Sequence, residues 1–257
     1  MDIICKEIII FLEDVAPLEI AEEWDNVGLL IGSKNNKINR IMVCLDITKK
    51  VVEDAINKRI NLIISHHPLI FKGIKKILED DVKGQIIHSL IKNNINVYCA
   101  HTNLDFAEGG INDYLAEVLE LNNIRNINNN KLGKIGKLKA PLSLSEFVNL
   151  VKTNLGINNL KLIGNIEKDI QDVGVFCGSF DESLIEQLKY KCDILVTGDI
   201  KYHAALNISE NGLCIIDAGH YYTEKIFIPE LHKILKEKFS NLEIFISSAQ
   251  TDPFNCI

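Results

Sequence analysis

Four imidazoles and two carboxylates follow the ends of apolar runs in this chain. His66 and His67 come directly after the run INLIIS, inside the stretch SHHPLIF (residues 65–71). His101 follows NVYCA and precedes Asp105 by four positions. His220 follows LCIIDAG and precedes Glu224 by the same spacing. Residues four apart share one face of a helical turn, so each His-x-x-x-carboxylate pair can aim both groups at one locus. Six such donors exceed the needs of one mononuclear site. Two divalent ions about 3.5–4 Å apart, with carboxylates bridging, would use them well. Imidazole with carboxylate suits zinc, iron, manganese, nickel or cobalt without choosing among them. A lone histidine at a strand end is usually a polar loop residue. Here four of the seven histidines fall in three strand-end motifs, which favours the metal reading over the bland one. His203, in TGDIKYHAAL, has no carboxylate partner. It reads either as an acid/base group beside the site or as a surface histidine at a helix start.

These groups need strands to deliver them. Residues 40–45, 61–64 and 96–100 read as strands, with helices over 49–58 and 81–92 between them. This is a β-α-β-α-β rhythm, the mark of an α/β layer fold with a mainly parallel or mixed sheet. The rhythm returns with strands at 172–177, 193–196 and 213–216 and helices at 182–190, 204–210 and 225–238. Two related α/β lobes follow, residues 1–130 and 131–257, the C-terminal strand being a candidate to complete the first. Between them residues 122–141 carry an asparagine cluster and read as a loop. Ligands bind at the carboxyl ends of strands in open parallel sheets, where these donors sit. Trp24, the only tryptophan, reads as a packing anchor, and Asp25 and Asn26 as a cap or turn, a place for Asp25 near the metals being the lesser alternative.

Composition narrows the classes. A chain of 257 residues with 47% hydrophobic and 25% charged residues is ordinary for a globular protein with a real core. Its net charge of -7 argues against a nucleic-acid surface, which needs a basic field. The seven cysteines include no CxxC pair, which argues against a thiolate zinc knuckle and for reduced thiols in the cytoplasm. No apolar run is long enough to span a bilayer, and the N-terminus lacks a basic signal region. No GxSxG elbow is present, which disfavours a serine hydrolase.

Together the motifs resemble the Nif-three-like proteins, also labelled GTP cyclohydrolase I type 2-like. APLEIAEEWDNVGLLIG (16–32), SHHPLIF, AHTNLDFAEGGIND (100–113), IGKLKAPLSLSEFV (135–148), VTGDIKYHAAL (196–206), DAGHYYTE (217–224) and TDPF (251–254) carry the resemblance nearly end to end. It implies a dinuclear metal centre in the cleft between two α/β lobes, and a homohexameric ring. Carried over by residue, the ligands would be His66, His67, Asp105, His220 and Glu224, with His101 as ligand or neighbour. No extra domain is inserted between the lobes. The label implies hydrolytic opening of a purine nucleotide by a metal-bound hydroxide, with His101 or His203 moving the proton. A metal-dependent phosphoesterase and a non-catalytic metal-binding regulatory or chaperone ring are the rival readings.

Overall fold

The computed structural model describes residues 2–128 and 133–255. The chain divides into two compact units: Met1–Ala107 with Ile228–Pro253, and Glu108–Phe227 with the tail from Phe254. The boundary expected near residue 130 lies outside the described residues.

The first unit is built on strands β1 (Gly28–Ile31), β2 (Arg40–Cys44), β3 (Leu62–Ser65) and β4 (Asn96–Cys99). A fifth strand, Glu243–Ile246, pairs in parallel with β2. The sheet order is β1-β4-β3-β2 followed by that last strand, and only the β1–β4 pairing is antiparallel. β3 and β4 are buried at every position, as strands covered on both faces must be, which is why they read as unbroken apolar runs. The helix Lys49–Asn57 buries Val51, Val52 and Ala55 against the sheet residues Met42, Ile63 and Val97. Thr48 caps it, its side chain accepting from the Val51 amide. The helix Val82–Lys92 is capped in the same way by Asp81.

The second unit holds β5 (Asn122–Asn126), β6 (Lys134–Leu142), β7 (Lys161–Ile163), β8 (Ile170–Ser179), β9 (Ile194–Gly198) and β10 (Ile215–Asp217). Their order is β5-β6-β8-β9-β10-β7. β8–β9 and β9–β10 are parallel, and the outer pairings are antiparallel, so this sheet is mixed. The loop expected over residues 122–141 is therefore corrected to two antiparallel strands. β5 is almost wholly exposed, so its residues are polar and mimic a loop. The helix expected over 182–190 is shorter, Leu184–Leu188, and buries Leu184, Ile185 and Leu188. A helix the sequence reading passed over, Leu144–Leu155, begins at a capping box in which Ser143 and Glu146 satisfy each other's amides.

Among the described residues no helix is long and apolar enough to cross a membrane. None of the six described cysteines is paired in a disulfide with another described cysteine.

Candidate functional site

In the first unit, the donors leave the sheet where β3 and β4 end. The histidine pair is held by the ladder continuing past β2. The His66 amide donates to the Cys44 carbonyl (3.1 Å) and the His67 amide to the Leu45 carbonyl (2.9 Å). His101 precedes the short helix Thr102–Phe106, which carries Asp105. Buried Asn103 locks this corner, accepting from the His101 amide (2.9 Å) and donating to the Ala16 carbonyl (2.7 Å).

The result is a histidine cluster. Donor atoms of His66, His67 and His101 all lie within 4.8 Å of one another. Ring centroids are 4.9 Å apart for His66–His67 and 5.1 Å for His66–His101. Asp105 Oδ1 lies 3.6 Å from His66 Nε2, so the carboxylate reaches the neighbouring motif.

One ring nitrogen of every cluster histidine is already committed. His66 Nδ1 is 2.9 Å from the Ala100 carbonyl, which has no proton to give. The imidazole is therefore the donor at Nδ1, with Nε2 on the side of the Asp105 carboxylate. His67 Nδ1 is 2.8 Å from Asp46 Oδ1, and His101 Nδ1 is 2.9 Å from both Asp25 oxygens. Asp25 is fixed in turn by the Thr102 hydroxyl (2.6 Å) and amide (3.0 Å). Burial alone would push its carboxyl up. The hydrogen bonds from His101 and Thr102 and the nearby imidazole charge outweigh that and bring it down to about 2. Asp25 is thus anionic at neutral pH. A second partner that fixes ring and tautomer is the usual support of a metal-ligating histidine.

The second unit repeats the device. β10 ends at Asp217, and the short helix His220–Glu224 follows. His220 Nδ1 is 2.9 Å from Asp199 Oδ2, and His220 Nε2 is 3.1 Å from Glu224 Oε2. Asp199, just past β9, sits at φ +49, in the left-handed region where Asp is among the few residues tolerated. Glu224 is buried at 3% exposure. Two glycines make room for this corner. A Cβ on Gly178 would meet Glu224 Oε1 at 2.3 Å, and one on Gly198 would meet the His220 amide nitrogen at 2.6 Å.

These arrangements fit divalent metal. In both units a carboxylate stands on the Nε2 side of an imidazole whose Nδ1 is engaged elsewhere. His66, His67, His101 and Asp105 come together in one unit, and His220 with Glu224 in the other. His203 does not join the latter among the described residues. It is exposed on the helix Tyr202–Glu210, its ring 5.4 Å from that of Tyr202.

The sequence reading missed Asp46 and Asp199 and placed Asp25 near the metals only as the lesser alternative to a turn. All three orient ligand-type histidines. The available signal was position, since Asp46 and Asp199 follow strand ends as the histidines do. Trp24 is corrected as well. It is 56% exposed rather than packed in the core.

The aspartate partners give a first prediction. Asp199→Asn and Asp46→Asn each keep shape but weaken the hold on the tautomer of His220 or His67. Each variant should lose about 10- to 100-fold in metal affinity or activity. Competition with a chromogenic chelator measures the affinity, and unchanged values in both would deny these carboxylates an orienting role.

Similarity to known proteins extends over almost the whole chain. The family model described as Duf34/NIF3 (NGG1p interacting factor 3) matches residues 3–253. A GTP cyclohydrolase 1 type 2 homolog of Clostridium perfringens is 35% identical over 98% of this chain and 99% of its own length. A GTP cyclohydrolase 1 type 2 of Helicobacter pylori is 36% identical over 90% of both chains. Among solved structures, a Bacillus cereus protein related to NIF3 superposes with a TM-score of 0.93 over 100% of both chains at 28% identity.

Proposed function

This chain belongs to the Duf34/NIF3 family, and we propose that it is a cytoplasmic, divalent-metal-dependent hydrolase with a nucleotide-like substrate. The observation that carries the reading is the common state of four imidazoles. Each of His66, His67, His101 and His220 has Nδ1 tied to a carbonyl or carboxylate, which directs Nε2 to a ligand's task. The names of the relatives from Clostridium perfringens and Helicobacter pylori support the choice of a purine nucleotide.

In this reading the two donor sets hold two divalent ions per chain. Four donors in one unit, His66, His67, His101 and Asp105, and two in the other, His220 and Glu224, make a count that suits two ions better than one. When bound, such ions supply Lewis acidity and lower the pKa of a coordinated water toward ~7. The protein's part is to prepare the donors. Asp25, Asp46, Asp199 and the Ala100 carbonyl hold the four rings in one tautomer. Asp105 and Glu224 supply the negative charge that lets two cations sit close together. His101, with Nδ1 on an anionic carboxylate, serves in this scheme as a ligand or as the group that moves the proton beside the ions.

The test is turnover. Metal-loaded protein should convert a member of a nucleotide panel, with products identified by mass spectrometry and guanosine triphosphate expected to be hydrolysed. Failure across the panel, with two ions bound per chain, would overturn the hydrolase reading.

A further inference from the structure

The chain's only tryptophan stands in the open beside the histidine cluster. Trp24 is 56% exposed and Phe71 is 40% exposed. Large aromatic rings left in water forgo the burial that normally places them in a core. These two lie against each other, centroids 5.5 Å apart and planes 31° from parallel. Both also meet His101 edge-on, with centroids 6.1 Å away for Trp24 and 6.2 Å for Phe71.

The pair is held in place from below. Trp24 sits in a turn closed by the Asp25 amide on the Glu22 carbonyl (3.0 Å). Asn26 Nδ2 reaches across to the Ile70 carbonyl at 2.5 Å and ties the Trp24 loop to the Phe71 loop. Asp25, between Trp24 and Asn26, holds His101. One short stretch, Trp24-Asp25-Asn26, thus places an aromatic face, a histidine-orienting carboxylate and a loop clasp side by side. Directly after Phe71 come Lys72, Lys75 and Lys76, all exposed, and none is in an ion pair among the described residues.

The geometry points to an aromatic ledge on which Trp24 and Phe71 stack the planar heteroaromatic ring of an anionic substrate, the three lysines meeting its negative charge. This assignment rests on the metal-dependent reading of the neighbouring cluster and supplies the residues that position the substrate there. Aromatic stacking suits any flat heterocycle, because each presents a π-face. Edge contact with His101 sets a stacked ring beside the donor atoms rather than elsewhere on the surface. Trp24 and Phe71 are therefore positioning residues, and they touch substrate, not metal.

Because Trp24 is the only tryptophan, its fluorescence reports this ledge alone. Full-length, metal-loaded protein is titrated with guanosine triphosphate, guanosine and inorganic triphosphate. Guanosine triphosphate and guanosine should quench Trp24 saturably, and inorganic triphosphate should not. Phe71→Ala should weaken the Kd for guanosine triphosphate about tenfold, within the range of one base–aromatic stack, with metal content unchanged. Replacing Lys72, Lys75 and Lys76 together by Ala should weaken guanosine triphosphate and leave guanosine as it was. Absence of quenching by both ring-bearing probes would overturn the assignment, as would a Kd unmoved by Phe71→Ala. A concentration-dependent, blue-shifted emission that nucleotide does not alter would mean that a second copy of the chain covers the ledge, and would overturn it too. The two readings separate cleanly. Stacking without turnover removes the hydrolase and keeps the ledge; turnover without Trp24 quenching does the opposite.

Discussion

Glu224→Gln and Asp105→Asn should each release at least one divalent ion and lower any hydrolytic rate by roughly 10²-fold or more, beyond what loss of an outer partner does. The argument starts from charge. Glu224 Oε2 is 3.1 Å from His220 Nε2, and Asp105 Oδ1 is 3.6 Å from His66 Nε2. Each carboxylate thus stands where a cation held by that nitrogen would need a counter-charge. An amide of equal size offers a neutral oxygen, and a cation held by that nitrogen loses its counter-charge. Stability should move differently from metal binding. Glu224 is buried and lies 3.1 Å from His220 Nε2, so an amide there trades the desolvation cost of the charge against the loss of its partner. The metal-free variant should therefore stay close to the metal-free parent in its urea midpoint. Elemental analysis and urea midpoints on the same samples decide the matter. Two ions retained at unchanged affinity in both variants would remove these side chains from the ligand set.

What the sequence disclosed and what it hid have the same physical cause. β3 and β4 are buried on both faces, so they were legible as the apolar runs that lead into His66 and His101. Thr48 and Asp81 cap their helices with side chains that accept from the Val51 and Gly84 amides. The edge strand β5 has little to bury, and its asparagines look like a turn until its pairing with β6 is seen. The capping box Ser143-x-x-Glu146 was present in the sequence and would have given the helix that follows it. At the site, ligand-type histidines were visible because histidine is scarce and their carboxylates repeat at a fixed spacing. Asp46 was not, and Asp25 only as a lesser alternative, because an aspartate that orients a ring from 21 or 76 residues away has no local period. Trp24 was misplaced by a rule about averages. Tryptophan is mostly buried, and this one is kept out of the core by a turn that Asp25 and Asn26 fasten.

Gly178→Ala is expected to damage the second unit's donor pair through a single methyl group. Gly178 adopts φ +67, which already costs an alanine about 1 kcal/mol. Its new Cβ would lie 2.3 Å from Glu224 Oε1 and 3.5 Å from His220 Nε2. The backbone is not free to retreat, since the Gly178 amide donates to Thr223 Oγ1 at 3.0 Å, on the same short helix as both donors. Either the carboxylate swings away or the helix shifts, and in both cases Glu224 leaves its place beside His220 Nε2. A displacement near 1 Å is enough to spoil a metal site, so at least one ion should be lost although no donor has been changed. Gly212→Ala provides the control. Gly212 lies in the same unit at φ +68, with nothing within 4 Å of the added Cβ. It carries the backbone strain without the collision. Both variants should lose comparable stability from strain, about 1 kcal/mol, with a further roughly 1–2 kcal/mol for Gly178→Ala from overpacking. Only Gly178→Ala should lose metal. Equal metal content in the two variants would show that Glu224 has room to spare, and that the close approach of β8 to the His220–Glu224 helix is packing without consequence for the donors.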